Sequence, residues 1–118
     1  TVGSTKEGMT HLLIGEEILK IPAVNIQPKT KARLRVQAKE VAVATKLPAH
    51  LSIRNILTAR LLSIDIKEAT FAELLLDVGG QHLRSRVTRE AVKELELKEG
   101  QQVYALIKSV SFEGRLLT

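Results

Sequence analysis

Between Ile56 and Ile66 the chain carries a long apolar run whose alternation changes phase part-way. Leu57, Ala59 and Leu61 share one phase, and Leu62, Ile64 and Ile66 share the other, with Ser63, Asp65 and Lys67 opposite. A strand side-chain pattern has a period of two, so one extra residue moves every later side chain to the other face. The run therefore predicts a long strand with a bulge or sharp bend near Leu61-Leu62, the device with which small barrels turn their corners.

The residues beyond the run extend a β architecture. Phe71 to Val78 is a strand, Gly79-Gly80 is a hairpin turn, and Gln81 to Val87 returns. Leu83, Ser85 and Val87 fall on one face of the return strand, and His82, Arg84 and Arg86 on the other. Thr88 suits a helix N-cap and Glu90 the first turn, while Ala91, Val92 and Leu95 have helical spacing. One short helix over about 88–96 is expected, with Gly100 as the stop or turn residue beyond it. Gln102 to Lys108 is the last strong strand, and Val110 to Leu117 adds a weak one.

The first part of the chain reads similarly. Residues 1–8 are small and polar and suggest a turn or frayed start. Met9 to Ile14 and Ile18 to Val24 are strands joined at Gly15-Glu16-Glu17, and Pro22 suits an edge strand. After a turn at Pro28-Lys29-Thr30-Lys31, Ala32 to Ala38 alternates, and Val41 to Ala44 continues it past an irregularity at Lys39-Glu40. Lys46-Leu47-Pro48-Ala49 is a linker.

These two parts are copies of one pattern. Leu12 to Lys20 parallels Leu76 to Arg84, and Leu34 to Val41 parallels Val103 to Val110. The first copy is five residues shorter where the second has its helix, and it lacks the long first strand that Ser52 to Phe71 supplies to the second. The expected organisation is an incomplete unit over 1–48 and an intact unit over 49–118. The missing strand belongs either to an upstream piece or to a partner chain, and an open sheet edge of this kind predicts strand exchange or tight dimerisation. The start at Thr1 rather than methionine agrees with a piece of a longer chain.

Bulk properties narrow the function classes. The 118 residues contain no cysteine, which excludes disulfides and thiolate metal sites and fits a reducing compartment. No apolar run approaches the roughly 20 residues of a membrane helix, and no secretory signal pattern is present. The net charge of +5 favours an anionic partner. Phe71, Tyr104 and Phe112 are too scattered for the aromatic platform of a single-strand nucleic-acid binder. No GxSxG, HExxH or Walker A pattern occurs, and His11, His50 and His82 lack ligand spacing. Glu16-Glu17 and the pair Asp65 and Glu68 read as solvated turn residues. The His82/Arg84/Arg86 row reads as the solvent face of a half-buried sheet, or as a phosphate or RNA surface.

One constellation has chemistry. Ser52, Arg54 and Asn55 stand just before the long apolar run, and Lys108 and Ser109 stand at the end of another. A tetrahedral oxyanion needs converging hydroxyl and N–H donors with positive charge and no carboxylate in the way. These residue types at two rigid strand ends fit that need, though they equally suit a capped linker turn beside an exposed lysine.

Ser52-Ile53-Arg54-Asn55 opening a long strand resembles the SxRN signature of molybdate-binding Mop domains, part of the TOBE group of small OB-like barrels. Glu94 to Ser109, with Leu97-Lys98-Glu99-Gly100 and Ile107-Lys108-Ser109, is similar to the same family's helix, LKEG turn and IKS strand. The first half is similar to the degenerate copy of tandem Mop arrangements. Its Arg33 to Val41 run looks most like the C-terminal region of the ATPase subunit of molybdenum-import ABC transporters. The resemblance implies a mainly β fold of two tandem OB-like barrels with one short helix in the second. It implies molybdate or tungstate as ligand, held by Ser52, Arg54, Lys108 and Ser109 and by backbone N–H groups around Ile53, Asn55 and Val110. In the first copy Lys39 matches Lys108 but Glu40 stands where Ser109 does. A carboxylate there repels a dianion by about 1 kcal/mol or more at ~4 Å even with water-like screening.

The implied setting is a cytoplasmic regulatory tail at the inner face of the membrane. It would self-associate as a dimer or higher oligomer with sites shared between subunits, next to an ATPase domain and a permease. This stretch has no nucleotide site of its own, because Gly3-Ser4-Thr5-Lys6 is too short to cradle phosphates, so no enzymatic activity is expected of it. Alternatives are the sensor half of a molybdate-responsive repressor, a free storage protein of the same fold, and, from a different class, an OB-like RNA-binding module.

Overall fold

The computed structural model describes residues 2–6, 9–14, 17–22, 31–67, 69–108 and 111–116. Of the expected turns Gly15-Glu16-Glu17 and Pro28-Lys29-Thr30-Lys31, Gly15, Glu16 and 28–30 lie outside them, as does the carboxylate of Glu68, while Glu17 and Lys31 are the first residues of strands, their turn assignment overridden by pairing.

The long apolar run forms a single strand, Asn55–Ile66, which is β6 in chain order. It pairs on one side with β9 (Gln102–Ile107) and on the other with β7 (Phe71–Val78). The register against β7 slips between Leu61 and Ser63, so Leu62 is the extra residue of a bulge. Leu57, Ala59 and Leu61 are buried before the bulge, and Ile64 packs on the core after it. Leu62 itself is 36% exposed and Ile66 49% exposed, so of the second-phase residues Leu62, Ile64 and Ile66 only Ile64 packs on the core. The bulge is braced by the turn after the helix: Gly100 N–H donates to the Leu61 carbonyl at 2.7 Å, and Leu61 N–H to that of Gln101 at 2.9 Å.

Strand β7 turns at Gly79-Gly80 into β8 (Gln81–Thr88). Both glycines have positive φ (56° and 87°), as a tight two-residue hairpin turn requires. Thr88 caps α1 (Arg89–Glu94), its hydroxyl accepting from Ala91 N–H at 3.0 Å. The helix ends at Leu95, before the expected limit, with Glu96 in the left-handed region at φ 52°.

Sheet order is β5-β9-β6-β7-β8, where β5 is Val41–Ala44. The sheet curls into a half-barrel until its edge strands approach, and Ser85 Oγ on β8 donates to the Val41 carbonyl at 2.6 Å. The core holds Leu57, Leu61, Leu74, Leu76, Val103 and Ile107. Leu19, from the first half of the chain, is buried among them at 1% exposure.

In the first half, β1 (Val2–Lys6), β2 (Met9–Ile14) and β3 (Glu17–Pro22) form an antiparallel sheet with β3 at its edge, where Pro22 costs no internal ladder bond. The reading of 1–8 as a turn or frayed start is thus corrected for Val2–Lys6, which pairs along β2 with one irregularity. Backbone pairing to a ready strand edge overrides a weak local pattern. Strand β4 (Lys31–Arg35) is followed by a 3-10 turn, Ala38–Glu40, which is the irregularity expected at Lys39-Glu40. Beyond it the chain changes sheet. Strand β5 pairs with β9, while β4 pairs with β10 (Ser111–Leu116). In the repeat expected from the sequence β4 matches β9 and β5 matches β10, and on that reading the last strand of each copy pairs with the other copy.

Candidate functional site

Ile107 is the residue around which the predicted segments gather. It is the register partner of Asn55 on one side and of Val41 on the other. The strand start carrying Ser52, Ile53 and Arg54 therefore lies beside the strand end carrying Lys108. Glu40 stands on the far side of β9, its carbonyl accepting Lys108 N–H at 2.9 Å. Ser109 and Val110 lie outside the described residues.

Ser52, Arg54 and Lys108 are exposed, Ile53 is half-buried and Asn55 is buried. The Arg54 guanidinium donates one N–H to the Leu51 carbonyl at 2.5 Å, which folds residues 51–54 back on themselves. Among the described residues the ion pairs are Lys67 with Asp65 (2.8 Å) and Arg84 with Glu73 (3.1 Å), so neither Arg54 nor Lys108 is neutralised by a described carboxylate. Arg54 precedes Asn55 and Lys108 follows Ile107, the register partner of Asn55, so two cations flank one register pair, a charge arrangement suited to an oxyanion. Glu40, whose carbonyl meets the Lys108 N–H, brings a carboxylate to this strand end, and it is half-buried.

The basic row on β8 has a different character. Arg84 pairs with Glu73 on the neighbouring β7, and Arg86 sits 5.7 Å over the Phe71 ring. His82, Arg84 and Arg86 are exposed while Ser85 is fully buried, as the alternation predicts. No group of three His, Cys, Asp or Glu able to hold a metal occurs among the described residues.

Sequence reasoning missed one residue's role. Asn55 entered as a backbone donor, yet its side chain is 9% exposed and bonded twice to β3. Lys20 N–H donates to Asn55 Oδ1, and Asn55 Nδ2 donates to the Lys20 carbonyl, both at 2.7 Å. The available signal was its phase. Asn55 alternates with Leu57, Ala59 and Leu61, so its carboxamide points inward and must find partners there.

Residues 51–112 match the family model of the TOBE domain, which is more than half of the chain. The chain belongs to the TOBE domain family. The matched TOBE region includes residues 52–55 and 107–110. The molybdenum import ATP-binding protein ModC of Photorhabdus laumondii is 35% identical over 92% of this chain, and that of Granulibacter bethesdensis 40% identical over 90%. The chain spans only about a third of the length of these curated relatives (30% and 31%) and is homologous to their C-terminal region. Among solved structures, the cytoplasmic molybdate-binding protein ModG, crystallised with molybdate bound, superposes with a TM-score of 0.74 at 28% identity. That likeness covers 95% of this chain and 89% of ModG, so the TOBE half-barrel and the preceding first half share its fold.

Proposed function

We propose that this chain binds molybdate or tungstate as the C-terminal regulatory region of a molybdenum-import ABC transporter's ATP-binding subunit. The observation that supports the reading is the Asn55–Ile107 register, whose flanking residues include Arg54 and Lys108, with no described carboxylate paired to either. Ser52, Arg54, Lys108 and Ser109, with backbone N–H groups around Ile53, Asn55 and Val110, are the proposed contacts. The identity to ModC proteins over nine-tenths of the chain supports the transporter setting, and ModG, with its bound molybdate, supports the ligand.

In this reading the region works by linkage. A ligand shifts an equilibrium only by its differential affinity for the two states. Oxyanion held between subunits would favour the assembly of tails that rests the transporter, in the cytoplasm at the inner membrane face. The ATPase domain and the permease are the partners, and hydrolysis belongs to the ATPase domain. The likeness to ModG over almost its whole length favours one second reading, a self-standing molybdate-binding protein.

Isothermal titration of the folded chain with molybdate, tungstate and sulfate tests the ligand. Heat of binding for the first two is expected, and no heat from a well-folded sample refutes the function. Ligand that changes neither oligomeric state nor transport in the intact complex would refute the regulatory mechanism while leaving binding in place.

A further inference from the structure

The Asn55 carboxamide does for β3 what a neighbouring strand's backbone would do. It supplies one acceptor and one donor to the same residue, Lys20, at 2.7 Å each, across 35 positions of sequence. The contact is nearly dry: Asn55 is 9% exposed, and the adjacent Leu19 is 1% exposed within the core of the five-stranded sheet. Side-chain and hydrophobic contacts thus fix β3 and the start of β6 to each other. The residues next in line before Asn55 are Arg54, Ile53 and Ser52, folded back by the bond from Arg54 to the Leu51 carbonyl. The backbone that presents the oxyanion donors is therefore anchored at one end to β9, through the Asn55–Ile107 pairing, and at the same residue to the first half of the chain.

We propose that Asn55 is a positioning residue for the oxyanion, and that its clamp on Lys20 couples occupancy of the site to docking of β3. The inference rests on the reading of 52–55 and 107–110 as an oxyanion site. Binding free energies are reciprocal. If the clamp orders the donors for the anion, the bound anion must in turn hold β3 more firmly. The first half then has a role in ligand response even though its own Lys39-Glu40 corner carries a carboxylate where the second has Ser109.

Amide hydrogen exchange of the 118-residue chain, with and without molybdate, reads the coupling directly. The Lys20 amide, whose acceptor is Asn55 Oδ1, should exchange several-fold more slowly with molybdate present. In Asn55→Ala that slowing should vanish at Lys20 and persist at the Lys108 amide, and molybdate affinity should fall about tenfold, as for loss of a buried hydrogen-bonded pair. Asn55→Ser, which keeps a small polar group, serves if the alanine variant does not fold and should lie between the two. A merely structural Asn55 would lower the melting temperature and leave affinity, measured well below it, unchanged. That result, or a Lys20 amide indifferent to molybdate in a wild-type chain that binds it, overturns the coupling alone. A folded wild-type chain that binds neither molybdate nor tungstate overturns the site and the coupling together.

Discussion

Ser85 and Val41 are 44 positions apart in sequence and 2.6 Å apart in space, hydroxyl to carbonyl, where the edges of the curled sheet approach. Ser85 is fully buried, so its hydroxyl has no access to water as a substitute partner. Ser85→Ala removes the donor and is expected to cost about 1–3 kcal/mol. Urea denaturation followed by circular dichroism would show the midpoint fall, and an unchanged midpoint would mean that the seam is held by packing alone.

The bulge makes Leu61 and Leu62 neighbours with opposite fates. Leu61 is fully buried and Leu62 is 36% exposed. Leu61→Ala should destabilise by about 2–5 kcal/mol, and Leu62→Ala by roughly 0.5 kcal/mol or less as a surface change. Equal losses in a paired denaturation experiment would contradict the register slip.

Gly80 and Gly100 both sit at positive φ (87° and 86°), and a Cβ added at either meets nothing within 4 Å. Any cost of alanine there is conformational, about 1–2 kcal/mol at each. Arg60, which donates to the Gly100 carbonyl, is the register partner of Asp77, which accepts from Gly80 N–H, and if the two turns act independently all the same the double variant should lose the sum of the single losses. A marked departure from additivity would show that the hairpin turn and the turn bracing the bulge communicate.

At the strand ends, Arg54→Ala and Lys108→Ala should each weaken molybdate binding by about ten- to a hundredfold, the range for hydrogen bonds to a charged group. Both side chains are exposed, so circular dichroism and melting temperature should barely move. Titration calorimetry on the two variants distinguishes this from the capped-turn reading, under which neither affects anion affinity.

Much of the second unit was legible because local patterns and long-range pairing agree there. The phase change at Leu61-Leu62 became a bulge, Gly79-Gly80 became the hairpin turn, and Thr88 became the helix cap. The expectation that Arg54 and Lys108 form one site came from residue type and the family resemblance, since no local rule places Asn55 opposite Ile107. Strand β1 was missed because its small polar residues carry no alternation, and pairing with β2 decides its state. Neither did the sequence show that β5 leaves its own copy for β9. Identical strand patterns suit either partner, and only three-dimensional packing chooses between them. Asn55 was half legible. Its place in the motif was clear, while its inward phase, which requires buried partners, went unused.

The reciprocal pairing of β5 with β9 and of β4 with β10 has a consequence for the history and handling of this chain. A duplicated module normally stays divisible at its linker. Here each copy lends its terminal strand to the other, so a protease nick within 45–50 should leave both pieces associated under native conditions. Either piece made alone would expose an unpaired ladder edge and be prone to aggregate. Once such an interchange was in place, loss of one copy would have ceased to be a neutral deletion. The first half, Glu40 included, would then be retained for the ladder partners that it gives to β9 and β10.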